Sequence, residues 1–112
     1  MCGIIGYVGR REAKDLLIEG LHRLEYRGYD SAGISVILNS KNHTSKILNH
    51  QSKILTVRAL GKVVNLANKL KPSMKGALGI AHTRWATHGK PSEKNAHPHT
   101  DCAGQMALVH NG

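Results

Sequence analysis

Cys2 is the residue whose type and place offer the most chemistry. With Met1 removed, as expected before a small residue, its thiol and a free α-amine belong to one residue. A thiol is a weak nucleophile until deprotonated, and an α-amine is a base available near neutral pH. The pair therefore needs no other side chain for nucleophilic attack. Gly3 beside it lets backbone pass close to a substrate. Taken alone, Met-Cys-Gly is a weak signal and fits an ordinary buried cysteine at a strand start better. Histidine offers a second chemistry. Eight of the 112 residues are His, and His97-x-His99-x-x-Cys102, with His82, His88 and His110 nearby, carries the N and S ligands that zinc takes. No companion Cys-x-x-Cys or His-Glu-x-x-His spacing accompanies it. Pro98 favours extended backbone, which predicts that the His97 and His99 rings point to opposite sides, so no metal is expected.

These residues must be carried by a small frame. A length of 112 residues allows one domain at most, and 40% hydrophobic content allows it a core. No apolar run approaches the roughly 18 to 20 residues of a membrane span. The first residues lack the basic and apolar regions of a signal peptide. Two cysteines, Cys2 and Cys102, make no disulfide framework, so a reducing, cytoplasmic compartment is expected. Sixteen Lys and Arg against seven Asp and Glu give a net charge of +9. That balance raises nucleic-acid or acidic-lipid binding. The cations are scattered, however, and the three tyrosines and one tryptophan are not interleaved with them as a stacking platform needs. Neither nucleic acid nor membrane is expected as a partner. A basic nucleic-acid-binding module and a small zinc-binding fragment stand as the alternative readings.

Hydrophobic periodicity places the elements. Gly3 to Val8 reads as a short strand bounded by glycines. Ala13, Leu16, Leu17, Gly20, Leu21 and Leu24 form one stripe of an amphipathic helix over Glu12 to Glu25, with Gly28 as its stop. Tyr29 to Ala32 reads as a loop, Gly33 to Leu38 as a second strand, and Asn39 to His43 as a turn. Ser45 to Asn49 and Lys53 to Arg58 read as a hairpin about His50-Gln51. Leu60, Val63, Val64, Ala67 and Leu70 form a second helical stripe closed by Pro72. Ala77 to His82 reads as a strand, Thr83 to Ala103 as one long loop, and Gln105 to His110 as a final strand. The sum is a mixed α and β domain. The chain stops at His110-Asn111-Gly112, directly after an apolar strand, and is expected to be a fragment.

Five stretches together carry a resemblance. Cys2-Gly-Ile-Ile-Gly-Tyr-Val-Gly9 is similar to the start of glutamine amidotransferases that use an N-terminal cysteine. Gly20-Leu-His-Arg-Leu-Glu-Tyr-Arg-Gly-Tyr-Asp-Ser-Ala-Gly33 and Gly79-Ile-Ala-His-Thr-Arg-Trp-Ala-Thr-His-Gly89 narrow it. Asn95-Ala-His-Pro-His99 and His110-Asn-Gly112 complete it. In this order they resemble the glutamine:fructose-6-phosphate aminotransferases (isomerizing), the glucosamine-6-phosphate synthases. The likeness is dense at both ends and loose from about Asn39 to Lys75. Phosphoribosyl-pyrophosphate amidotransferases and asparagine synthetases share the cysteine start and differ in the second and third stretches.

The resemblance implies an α+β fold, the N-terminal-nucleophile hydrolase αββα sandwich. Residues 2–112 would be about the first half of its type 2 glutamine amidotransferase (glutaminase) domain, and the sugar-isomerase domains are absent. It implies that Cys2 attacks the side-chain amide of glutamine with its own α-amine as base. Asn111 and Gly112 would form the oxyanion hole. Arg84 would clamp the substrate α-carboxylate, a bidentate task suited to guanidinium. Thr87 and His88 would add hydrogen bonds, Arg27 and Gly28 would shape the pocket, and Trp85 would gate the passage of ammonia. The loop from Arg84 to about Ser92 would close over the substrate. Glutamine is the implied substrate, and fructose 6-phosphate is reached only through the absent domains. No cofactor is implied, the full-length family is expected to be a homo-oligomer, and the present chain is expected to be inactive alone. Outside that joint pattern, Arg27 and Arg84 read as surface cations, Trp85 as a packing residue and Asn111-Gly112 as a turn.

Overall fold

Alternation in Gly3-Ile-Ile-Gly-Tyr-Val turns Ile5 and Tyr7 to one face of a strand and Ile4 and Val8 to the other, and that division organises everything above it. The computed structural model describes residues 2–38 and 53–111. Strand β1 (Gly3–Val8) leads to helix α1 (Ala13–Leu24), a single 3₁₀ turn (Glu25–Arg27) and strand β2 (Ser31–Ile37). Strand β3 (Ile54–Leu60), helix α2 (Val63–Lys69) and strand β4 (Leu78–Arg84) follow. The described chain closes with two short strands, β5 (His99–Thr100) and β6 (Ala107–Leu108).

The larger sheet has the order β1-β4-β2-β3, every pair antiparallel. Its registers place Gly3 opposite Thr83, Ser31 opposite Arg84 and Ser31 opposite Leu60. Both helices cover the face that carries Ile34, Val36, Ala59 and Ala81. Ala13, Leu17 and Leu21 of α1 and Val63 and Leu66 of α2 are fully enclosed there. A buried leucine of this kind contributes roughly 1.5–3 kcal/mol of transfer free energy. Helix α1 starts without a side-chain cap. The Ala13 N–H instead donates to the Gly76 carbonyl at 2.8 Å, which satisfies one orphan donor of the first turn. It ends through the 3₁₀ turn at Gly28, whose φ of 112° is open to glycine and strained for other residues.

The other sheet face is only partly covered. Residues 96–98 lie directly on it: a Cβ at Gly33 would sit 1.8 Å from the His97 carbonyl oxygen. This contact, with the helices opposite, explains why β2 is buried at every position from Ser31 to Val36. Strands β5 and β6 pair as a ribbon, His99 opposite Leu108. Asp101 ties its turn by accepting the N–H groups of Gln105 and Met106 at 2.7 and 2.9 Å. The N–H of Met106, foremost, holds the Asp101 carboxyl below the usual carboxylate range. Beside the ribbon, Ile37, Ile54, Leu78, Ile80 and Ala107 surround a hollow of about 120 Å³.

The mixed α and β reading holds, and several boundaries move. Ser31 and Ala32, expected in a loop, begin β2 because they pair with both Arg84-Thr83 and Leu60-Ala59. Leu60, expected to open the second helix, ends β3. Gly61 at φ 82° then donates its N–H to the Asp30 carbonyl, and the helix begins only at Val63. The strand expected over 77–82 runs on to Arg84, and the long loop after it contains β5. The strand expected over 105–110 is ladder-paired only at Ala107 and Leu108. The 53–58 segment is a strand, but it pairs with β2. Its expected partner, residues 45–49, lies outside the described residues, as does the turn expected over 39–43.

Candidate active site

Register brings the site together. Because Gly3 faces Thr83 across the β1–β4 ladder, Cys2 comes opposite the end of β4. The Trp85 backbone N–H donates to the Cys2 Sγ at 3.4 Å, and the Trp85 carbonyl lies 3.8 Å from the same sulfur. Cys2 is half-buried and lines a cleft of about 320 Å³. Arg84, Trp85, Thr87, His88 and Gly89 line that cleft from the β4 end and the loop after it. Asn95, His97, His99 and His110 line it from the covering segment. The volume is at the low end for small-molecule sites.

Arg84 shapes the loop as well as the cleft. Its guanidinium donates to the carbonyls of His88, Gly89 and Lys90, the last two at 3.4 Å. Asn95 holds the same bend by donating from Nδ2 to the Lys90 carbonyl at 3.0 Å. Trp85 is half exposed, and its indole lies over Gly28, where an added Cβ would meet the ring at 3.0 Å. Arg27 ends the 3₁₀ turn, half-buried, and is not among the residues lining the cleft. Asn111 donates from Nδ2 to the Cys2 carbonyl at 3.2 Å. Gly112 lies outside the described residues. Of the residues singled out from sequence, Cys2, Arg84, Trp85, Thr87 and His88 therefore share one cleft. Gly28 reaches it through Trp85, and Asn111 through the Cys2 backbone.

Imidazoles cluster at the cleft, with His97, His99 and His110 lining it and His82 stacked on His97. The His82 and His97 rings stack with centroids 4.3 Å apart and 29° between planes, and His97 and His99 are also 4.3 Å apart, tilted by 51°. The expectation that the His97 and His99 rings point apart is corrected here. β5 begins only at His99, so the strand alternation assumed across Pro98 does not extend to His97. Burial, joined by the neighbouring His82, His99, Arg84 and His110, pushes the His97 pKa down to about 4. Burial also lowers that of His82, against the pull of its bonds to Asn111 and His110. These two rings are neutral near pH 7, and Arg84 supplies the fixed positive charge. No Asp or Glu is among the lining residues. A cleft with one guanidinium, one thiol and neutral donors suits a carboxylate-bearing ligand. Among the described residues, no group of three or more His, Cys, Asp or Glu side chains is arranged to hold a metal ion.

Sequence reasoning gave no role to Asp30. Its carboxylate accepts the Ala86 N–H and, at 3.1 Å, the Ser31 hydroxyl. Its own N–H donates to the Arg84 carbonyl at 2.7 Å. It thus fixes the backbone on both sides of Trp85, whose N–H meets the sulfur. The only signal in sequence was its place in Arg27-Gly-Tyr-Asp-Ser31. Asn95, His97 and His99 were visible as residue types, but their convergence on the thiol depends on the path of residues 96–98 across Gly33.

No family model matches the chain. Among curated proteins it is 51% identical over its full length to glutamine–fructose-6-phosphate aminotransferase (isomerizing) of Pyrococcus horikoshii, of which it covers 17%. It is 56% identical to the protein of that name from Acinetobacter baylyi, covering 16% of it, and 50% identical to that of Clostridium tetani, covering 17%. The chain thus spans about a sixth of the length of the curated relatives it matches.

Proposed function

We propose, from the premise that this chain is a short N-terminal piece related to the glutamine–fructose-6-phosphate aminotransferases, that its cleft is the glutamine-hydrolysing site of such an enzyme. The observation that carries the reading is Cys2, its sulfur held by the Trp85 N–H, lining a cleft together with Arg84, Thr87 and His88. The α+β arrangement is compatible with the αββα sandwich of N-terminal-nucleophile hydrolases. The helices and larger sheet would be one α and one β layer, and the β5–β6 ribbon part of the second sheet. Residues 2–112 would then make up about half of the glutaminase domain.

In this mechanism Met1 is removed and the Cys2 α-amine takes the thiol proton as sulfur attacks the glutamine carboxamide carbon. Asn111 Nδ2 and the Gly112 N–H stabilise the oxyanion. The C–N bond breaks as the ammonium returns its proton to nitrogen, releasing ammonia and leaving a thioester. Water, deprotonated by the same amine, then releases glutamate and restores the thiol. Arg84 holds the substrate α-carboxylate, with Thr87 and His88 beside it. Five donors on one guanidinium allow it to keep the loop carbonyls and a carboxylate together. Arg27 and Gly28 support the pocket wall, and Trp85 gates the passage of ammonia. In the longer enzyme the ammonia converts fructose 6-phosphate to glucosamine 6-phosphate in other domains. The cytoplasm and a homo-oligomer are the proposed setting.

The test uses a full-length polypeptide carrying this segment. Mass spectrometry is expected to find Cys2 as the first residue. A diazo-oxo-norleucine electrophile, which imitates glutamine, is expected to label Cys2 and not Cys102. Retention of Met1, or labelling that ignores Cys2, overturns the reading. A polypeptide of these 112 residues alone is expected to form no glucosamine 6-phosphate.

A further inference from the structure

One buried polar side chain beside the thiol has no task in the reaction just described. His82 lies in the inner strand β4, fully enclosed, on the sheet face away from the helices. Its Nε2 is 2.9 Å from Asn111 Oδ1 and 3.2 Å from the His110 carbonyl oxygen. The far end of the same amide, Asn111 Nδ2, is 3.2 Å from the Cys2 carbonyl.

Donor accounting fixes every direction in this chain of bonds. The Cys2 and His110 carbonyls only accept. Asn111 must therefore turn its NH₂ to Cys2 and its oxygen to His82. That oxygen also only accepts, so His82 Nε2 carries the hydrogen and serves both acceptors. Nδ1 is then the bare nitrogen, and it is buried with no hydrogen-bond partner. Stacking on His97 keeps the ring in its plane, and the His97 backbone is itself pressed onto Gly33.

We propose that His82 is a positioning residue that sets the amide of Asn111 so that its NH₂ end faces the reacting centre. The inference rests on the glutaminase reading above. One hydrogen of that NH₂ is engaged by the Cys2 carbonyl, which leaves the second for the oxyanion. With no donor at His82 Nε2, only the Cys2 carbonyl still selects this orientation, and the flipped amide becomes far more populated. The flipped amide would present a lone pair where negative charge develops, which has the wrong sign.

The experiment compares His82→Leu, His82→Gln and His82→Asn in a full-length aminotransferase carrying this segment. Glutamine places an N–H near the Nε2 position, whereas asparagine is too short to reach it and leucine has none. Loss of one oxyanion donor lowers the rate by about 10²- to 10³-fold. Loss of its orientation is expected to lower glutaminase kcat by about 10- to 100-fold in H82L, with KM for glutamine within about twofold. H82Q is expected to recover most of the loss. Alkylation of Cys2 by iodoacetamide, which forms no oxyanion, is expected to keep its rate in all three. A folded H82L with kcat within twofold of the parent, or a loss confined to KM, overturns the role of His82. If H82L does not fold, H82Q is expected to exceed H82N about tenfold in kcat, and equal values overturn it. Unchanged glutaminase activity in Cys2→Ala overturns instead the site reading on which the inference stands.

Discussion

Arg84 is bound on one side to three loop carbonyls and opens on the other into the cleft beside Cys2. On the proposed reading a planar fork holds these carbonyls and a substrate carboxylate at once, which an ammonium, as a point charge, cannot. Arg84→Lys is therefore expected to raise the KM for glutamine by about tenfold or more, which is about 1.4 kcal/mol of binding. An unchanged KM would remove Arg84 from the carboxylate site. The neutral imidazoles make a second prediction. The folded protein holds the His97 pKa near 4, while the unfolded chain titrates near 6.5. Between those values the unfolded state binds a proton that the folded ring refuses. Stability from this group is complete above about pH 6.5 and is lost as pH falls toward 4. The thermal midpoint is expected to drop over that window, and to drop less in His97→Gln.

Two close approaches between elements hold the site in shape. The first is residues 96–98 on β2. Gly33→Ala would drive a Cβ into the His97 carbonyl, a backbone atom that cannot move aside alone. The expected cost is roughly 1–3 kcal/mol, read as lost hydrogen-exchange protection of the β2 and β4 amides. On the proposed reading, glutaminase activity of a full-length polypeptide carrying this segment should fall with it, because His97 stacks on His82. The second is the strap from Asp30 to the residues flanking Trp85. Asp30→Ala leaves the Ala86 N–H without its carboxylate and is expected to cost about 1–3 kcal/mol. Asp30→Asn keeps an oxygen acceptor and should lose less. Equal losses in the two variants would mean that the side-chain oxygen is not what orders this turn.

Across the whole molecule the two sheet faces are unlike. One is sealed by α1 and α2. The other carries Ile37, Ile54, Leu78 and Ile80 around a hollow beside a two-stranded ribbon, with Ile4, Val8 and Leu108 exposed at 42%, 77% and 57%. Contiguous exposed apolar surface promotes association. A polypeptide of these 112 residues alone is expected to bind an apolar dye and to self-associate with rising concentration. The net charge of +9 sets its solubility rather than its fold. A monomer that ignores the dye would show the open face to be better covered than the described residues indicate.

Helix α1 was legible because Ala13, Leu17 and Leu21 recur at the helical period, and β1 because glycines bound a short apolar run. These are local signals, set by backbone geometry and the need of apolar side chains for one face. The thiol, the guanidinium and the histidines were legible as residue types for the same reason: chemistry belongs to the side chain. Where they meet was not local. The strand start at Ser31, the Leu60 ending of β3, the facing of Cys2 with Trp85, and the passage of residues 96–98 over Gly33 all follow from pairing between segments far apart in the chain. A ladder register or a close backbone contact minimises free energy over two partners at once, and neither partner's sequence contains it alone.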